Sequence, residues 1–141
     1  MYAQHLHTII GQGESSVINN PYDLVRLARR GVTRATLKTV SQGLGVPLKT
    51  LILHLPIGER TLQRYDEQQY LPSHVSEQII QWAQIVLFGN TVFASPGVFQ
   101  DWMVTSNRAL GDVSPAELLD TRQGAELLLQ LLGQIEHGVY R

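Results

Sequence analysis

Apolar residues recur at intervals of three and four along most of the chain after residue 19. This spacing places side chains on one face of an α-helix, and no segment alternates apolar and polar residues for long enough to predict a strand. The periodic stretches are residues 37–44, 48–55, 75–86, 99–103 and 125–135. They predict an all-α fold, with one long helix that begins near Ser73 and stops by Gly89, and a last helix that ends at Gly138.

Residues that favour the start of a helix precede several of these stretches. A side-chain oxygen can accept a hydrogen bond from an N–H of the first helical turn, and proline at the first helical position loses no bond. The pairs of this kind are Asn20-Pro21, Ser95-Pro96 and Ser114-Pro115. Glu117 also stands at the position that completes a capping box with Ser114. Thr33 and Pro47 are predicted to open two further helices.

The periodicity divides the chain into an arm and two helical units. Residues 1–19 show neither helical nor strand periodicity, and the Gly/Ser-rich residues 11–16 predict a flexible arm. Residues 20–92 are predicted to form one helical domain that includes the long helix, and residues 93–141 a second, smaller one. We expect the smaller unit to pack on the long helix, because so few residues seldom form a stable core alone.

Composition excludes several classes of protein. Hydrophobic residues make up 43% of the chain, which is too many for a disordered protein, yet no uninterrupted apolar run is long enough to span a membrane. The first residues lack the basic and apolar regions of a signal peptide, so we expect a cytoplasmic protein. The absence of cysteine excludes disulfides, thiolate nucleophiles and Cys-ligated metals.

No pattern points to catalysis. The chain has no nucleophile elbow and no complete glycine-rich phosphate loop. His5 and His7 stand close together without a third ligand, and the other histidines are scattered. We therefore expect no enzyme activity, no metal and no cofactor.

Charge is unevenly distributed along the chain. Residues 20–75 carry eight Lys or Arg against four acids, whereas residues 76–141 carry three Arg against seven acids. A basic half and an acidic half suggest two surfaces with different partners, the basic one facing phosphates. The alternative is an ordinary uneven surface.

Residues 47–69 have the layout of a helix-turn-helix motif. A short amphipathic helix is followed by the break at residues 56–58 and by a second helix that begins at Glu59 or Arg60. In this motif the second helix enters the major groove, and Arg, Gln and Thr side chains bond bases or phosphates. Leu62 and Tyr65 would face the core, and Glu67 can pair with Arg64. The predicted DNA-binding residues are Lys49, Arg60, Thr61, Gln63 and Arg64; the alternative is a helical hairpin with a solvated polar face.

The C-terminal third resembles a known family. It combines Trp102, residues 107–111 (Asn-Arg-Ala-Leu-Gly), Ser114-Pro115, Gly124-Ala125 and, near the end, Gly138-Val139-Tyr140. This string is similar to the toxin-binding domain of the Xre/MbcA/ParS antitoxins. Residues 58–64 (Gly-Glu-Arg-Thr-Leu-Gln-Arg) are similar to the recognition helix of the same family, and the resemblance extends over roughly residues 31–141. Residues 65–67 (Tyr-Asp-Glu) replace a stretch that is commonly basic in the family, which argues against strong DNA affinity.

The resemblance implies a type II antitoxin that binds and neutralises a RES-domain toxin, a protein that targets NAD. The antitoxin would cover the toxin's NAD cleft and bind operator DNA to repress its own operon. The expected toxin-binding residues are Trp102, Asn107, Leu110, Leu128, Leu132, Ile135, Gly138, Val139, Tyr140 and Arg141. The rival interpretation is a stand-alone helix-turn-helix transcription regulator whose C-terminal unit dimerises or senses a ligand.

The last helix and the largest apolar side chains both bear on assembly. The last helix carries leucine on more than one face, which predicts burial by its own core and by a partner; the alternative is a central core helix in a monomer. The large apolar side chains of Trp82, Val86, Phe99 and Trp102 exceed what so small a bundle is expected to hide. We therefore expect a homodimer, and a larger hetero-oligomer with the toxin.

Overall fold

The computed structural model describes residues 21–138. Within this range the chain is helical and contains no strand, which confirms the predicted all-α class. The α-helices are α1 (Pro21–Arg30), α2 (Arg34–Leu44), α3 (Leu48–Leu53), α4 (Glu59–Gln63), α5 (Ser73–Val92), α6 (Pro96–Met103) and α7 (Arg122–Glu136). Two 3₁₀-helices, Arg108–Leu110 and Pro115–Asp120, lie between α6 and α7. The predicted arm, the predicted cap at Asn20 and the last three residues lie outside the described residues.

The long helix α5 forms the centre of the bundle. It contacts α1, α2, α6 and α7. Its side chains are buried on more than one face, with Val75, Ile79 and Trp82 fully enclosed and Ile80 and Ala83 buried on other sides. A helix buried on most of its circumference needs apolar residues all round, which explains why its sequence is less amphipathic than that of its neighbours.

One continuous core includes side chains from both predicted units. It extends from Leu27 of α1 to Leu132 of α7. Trp82 and Phe99 are fully buried in this core, Val86 is 4% exposed, and Trp102 packs against it from the edge. The expectation that these side chains would exceed what the bundle can hide was therefore wrong, because α5 provides a core that the helices of both units share.

The predicted end of the long helix was also wrong. Helix α5 continues through Gly89 to Val92. Gly89 is buried, and a Cβ atom at this position would overlap the ring of Phe99 on α6. The glycine therefore allows α6 to approach α5 closely, rather than stopping the helix.

The predicted caps are largely confirmed. The side chain of Thr33 accepts a hydrogen bond from the N–H of Thr36, and that of Ser95 accepts one from Val98. The Glu117 carboxylate accepts hydrogen bonds from the Ser114 backbone N–H at 2.8 Å and hydroxyl at 3.0 Å. These bonds lower the pKa of Glu117, because they favour its charged form. The segment that Ser114 opens is a 3₁₀-helix, and α7 begins after a separate cap at Thr121.

No helix within residues 21–138 is both long and apolar enough to cross a membrane. The same range contains no group of three or more His, Asp or Glu side chains that could hold a metal ion. His5 and His7 lie outside the described residues.

Candidate functional site

Helices α3 and α4 form the predicted pair of short helices. Helix α3 ends at Leu53, two residues before the predicted end at Leu55, and α4 spans only Glu59–Gln63. Leu51, Leu55 and Leu62 are buried and fix both helices to the core. The buried leucines on one side leave the opposite side of the pair in solvent.

The five predicted DNA-binding residues all lie on the exposed side of this pair. The side chains of Lys49, Arg60 and Arg64 are exposed, and none of them makes an ion pair or hydrogen bond with residues 21–138. Thr61 and Gln63, on α4, are exposed as well. Cationic side chains without an internal partner are available to phosphate or base edges.

The segment after α4 is attached to the start of α2. The guanidinium of Arg34 donates a hydrogen bond to the Tyr65 carbonyl at 2.6 Å, and the Ala35 N–H donates to the Glu67 carbonyl at 3.3 Å. Glu67 forms its ion pair with Lys38 at 3.6 Å, and not with Arg64 as the sequence suggested. The charge of Lys38 thereby offsets that of Glu67, the acid that follows α4. Arg64 makes no ion pair within residues 21–138, so its guanidinium is available to a partner.

The aromatic side chains of the C-terminal unit stack at the end of α5. The ring centroids of Phe93 and Trp102 are 5.3 Å apart, and those of Phe99 and Trp102 are 6.4 Å apart. Distances of this size are typical of favourable aromatic pairs. Trp102 is half-buried, so its ring closes the core and also contributes to the surface.

Asn107 builds a tight loop over residues 107–113. Its side-chain Oδ1 accepts a hydrogen bond from the Ala109 N–H at 2.9 Å, and its backbone N–H donates to the Val113 carbonyl at 2.9 Å. Gly111 and Asp112 have φ angles of 80° and 65°, a conformation that glycine adopts at least cost. Leu110, one of the predicted toxin-binding residues, belongs to this loop and is half-buried.

The predicted toxin-binding residues of α7 occupy different environments. Leu128 and Leu132 are fully buried in the chain's own core, whereas Ile135 is half-buried and Gly138 is exposed. The two buried leucines therefore hold the helix in place from beneath and are not available to a partner in this conformation. Gly138 has a φ of 71°, the left-handed conformation that glycine commonly adopts just after the last residues of a helix. Val139, Tyr140 and Arg141 lie outside the described residues.

One exposed leucine on α7 was not among the predicted site residues. Leu127 is 44% exposed. Its neighbours on the same helix face are also exposed and uncharged, namely Gln123, Gln130 and Gln134. The spacing that places Leu128 and Leu132 in the core turns Leu127 outward, so the helical period was the signal that could have identified it. We call these four residues the α7 outer face. The face carries no charged side chain, and the centres of protein–protein interfaces are likewise depleted in charged residues.

Comparison with known protein families gives a match in the C-terminal part of the chain. Residues 88–138 match the family model described as the antitoxin Xre/MbcA/ParS C-terminal toxin-binding domain. This region contains α6, both 3₁₀-helices and α7, together with the end of α5. The match therefore includes the α7 outer face.

Curated proteins of three bacteria are similar over longer ranges. A "Prs ADP-ribosylating antitoxin" of Sphingobium sp. is 28% identical over 131 residues, which is 86% of this chain and 82% of that protein. An "Antitoxin Xre" of Yersinia enterocolitica is 31% identical over 87 residues, 61% of this chain and 58% of its own length. An "Antitoxin Xre" of Pseudomonas putida is 27% identical over 115 residues, 82% of this chain and 64% of its own length.

Proposed function

The chain is a member of the Xre/MbcA/ParS antitoxin family, and from this premise we propose that it binds and neutralises a protein toxin and has no catalytic activity of its own. The observation that carries the proposal is the match of residues 88–138 to a toxin-binding domain. The proposed partner is a RES-domain toxin that targets NAD. The name of the Sphingobium relative supports this, because ADP-ribosylation consumes NAD.

The proposed toxin-binding surface is the α7 outer face with its surroundings. Leu127 provides an apolar anchor, and a few such anchors dominate the affinity of many interfaces. Trp102, Leu110 and Ile135 are half-buried, and in the proposal their exposed parts contribute further apolar contacts with the toxin. In the proposal, Asn107 acts by shaping the loop that holds Leu110, while Leu128 and Leu132 act by holding α7 in place.

Inhibition is proposed to follow from the end of α7. Gly138 lies at the exposed end of this helix, and Val139, Tyr140 and Arg141 follow it in the sequence. Tyr and Arg are enriched at interface hot spots. We place residues 138–141 over the entrance of the toxin's NAD cleft, where they would exclude the cofactor.

A pair of leucine variants tests the toxin-binding surface. Leu127→Asp places a charge at the centre of the α7 outer face, and Leu53→Asp is the matched control, since Leu53 is 73% exposed on α3. Each variant is expressed together with the toxin encoded by the adjacent gene. We expect Leu127→Asp to lose growth rescue and co-purification, and Leu53→Asp to keep both. Rescue by Leu127→Asp at the native level would remove this face from the proposal.

We also propose that the chain binds operator DNA through α3 and α4 and represses its own operon. Support comes from the exposed positions of Lys49, Arg60, Thr61, Gln63 and Arg64. Because helix-turn-helix proteins commonly pair to read two half-sites, we propose a homodimer, which sedimentation at micromolar concentration would detect. Both proposed partners would be met in the cytoplasm.

Arginine variants test the DNA-binding surface. Arg60→Ala with Arg64→Ala should weaken binding to the DNA upstream of the operon by about 1–3 kcal/mol for each Arg that reads a base. Arg108→Ala is the control for charge, because Arg108 is exposed in the C-terminal unit. Native affinity should also fall steeply as salt rises. If the double variant binds as tightly as the native chain at matched salt, α4 does not contact the operator.

A further inference from the structure

Helix α5 carries a buried polar side chain between the two candidate surfaces. Gln78 is 7% exposed. Burying an amide is costly unless its hydrogen-bonding groups find partners. The bonds that Gln78 makes therefore matter for the position of the segments that supply those partners.

The amide group of Gln78 lies between two backbone carbonyls from distant parts of the chain. Its Nε2 donates a hydrogen bond to the His54 carbonyl at 2.9 Å and approaches the Leu119 carbonyl at 3.5 Å. His54 is the first residue after α3, where the turn towards α4 begins. Leu119 is buried in the 3₁₀-helix that precedes α7. One NH₂ group therefore faces both the helix-turn-helix segment and the C-terminal unit.

Two neighbouring side chains of α5 contact the C-terminal unit by a different route. Glu77 forms an ion pair with the Arg122 side chain at 3.2 Å, and Gln81 Nε2 donates to the Arg122 carbonyl at 3.4 Å. Neither bond reaches α3. Gln81 therefore provides a comparison for Gln78: the same residue type, on the same helix, bonded to the same part of the C-terminal unit.

We infer that Gln78 is a positioning residue through which toxin binding and DNA binding influence each other. The inference rests on the proposed function. Both hydrogens of the amide lie in one plane and move together, so a displacement of the Leu119 carbonyl changes the bond to His54. That bond satisfies a carbonyl at the end of α3, to which no N–H of a following helical turn donates. A toxin that shifts the 3₁₀-helix would thereby shift the turn that leads to α4.

The test measures how much the toxin changes DNA affinity. The dissociation constant for the DNA upstream of the operon is measured with and without saturating toxin from the adjacent gene, for the native chain, Gln78→Met and Gln81→Met. Methionine keeps the length of the side chain and removes the donor. We expect the toxin to change native affinity about 5-fold or more, the low end of typical coupling between sites. For Gln78→Met, the dissociation constants with and without toxin should be nearly equal. For Gln81→Met, they should differ by the same factor as in the native chain.

A second measurement needs no variant. Hydrogen exchange of the backbone amides of residues 55 and 57–62 in the native chain should change when the toxin binds, because these residues form the turn after His54 and the helix α4.

The outcomes separate the inference from the proposed function. A native chain that binds neither DNA nor toxin overturns both. Suppose that the native chain binds both partners but that the toxin changes neither its DNA affinity nor the hydrogen exchange of the turn. This result overturns the inference and leaves the proposed function in place. If Gln78→Met lowers the melting temperature but keeps the native ratio, its role is only structural and the inference is wrong.

Discussion

Replacing Gly89 by alanine has two opposite effects on stability: it raises the helix propensity of α5, and it adds a methyl group to a filled core. Gly89→Ala should stabilise α5 by about 1 kcal/mol through helix propensity alone. At this position, however, the added methyl group would overlap the ring of Phe99. That ring is fully buried and stacks near Phe93 at 5.8 Å, so it has little space in which to move. Overpacking of a filled core costs about 1–3 kcal/mol, and we expect it to exceed the gain.

The net effect is large enough to measure by thermal unfolding. Because several atoms of the buried Phe99 ring would be overlapped, we expect a cost in the upper part of that range, about 2–3 kcal/mol, and hence a net loss of about 1–2 kcal/mol in the free energy of unfolding. A chain of 141 residues has an unfolding entropy of about 0.3 kcal/mol per kelvin, so the melting temperature should fall by about 3–7 °C. Circular dichroism at 222 nm, with the ellipticity followed against temperature, is a sufficient assay.

Gly133 provides a matched control on α7. A Cβ atom there would lie 3.7 Å from the nearest atom of Phe88, an ordinary van der Waals contact. Gly133→Ala should therefore keep or raise the melting temperature, because only the helix propensity changes. If Gly89→Ala melts at or above the native temperature, the ring moves aside and the packing argument is refuted.

Three further predictions concern the C-terminal unit. Because hydrogen bonds from Ser114 lower the pKa of Glu117, its contribution to stability is present above the ordinary value of 4.5 and is lost as pH falls through the lowered pKa; Glu117→Gln should lack this pH-dependent part, as denaturant titrations at several pH values would show. Asn107→Ala should cost about 0.5–2 kcal/mol by removing the cap of the Ala109 N–H, whereas Asn107→Asp keeps the acceptor and should unfold near the native denaturant concentration. A chain that ends at His137 should still bind the toxin yet leave its NAD turnover high; turnover as low as in the intact complex would show that the tail is dispensable.

Local signals predicted much of the fold. Caps depend on residues three apart, and Thr33 and Ser95 were identified from the sequence because their partners lie within one turn. Helical periodicity likewise placed Leu37, Val40 and Val75 on apolar helix faces, and all three are fully or almost fully buried. These features need no knowledge of the rest of the chain.

Features that depend on distant residues were missed or misread. A glycine near the end of a periodic stretch has the same signature whether it stops a helix or admits a neighbour, and only the position of Phe99 decides between them at Gly89. Glu67 pairs with Lys38, which lies far from it in the sequence, rather than with Arg64, three residues before it.

The two candidate surfaces share one core, and this limits how far they can act separately. Trp82 and Val86, on α5, are buried in the same core as Phe99 of α6 and Leu132 of α7. Helix α5 ends at Val92, which is also the boundary between the part proposed to bind DNA and the part proposed to bind the toxin. The hydrophobic core nevertheless contains side chains from both sides of this boundary. Removing the C-terminal helices would expose the centre of the bundle, including the helix against which α2 packs. We therefore expect a change in how α7 packs on α5 to reach the helices beneath the proposed DNA-binding side chains, since close-packed interiors have little free space to absorb it.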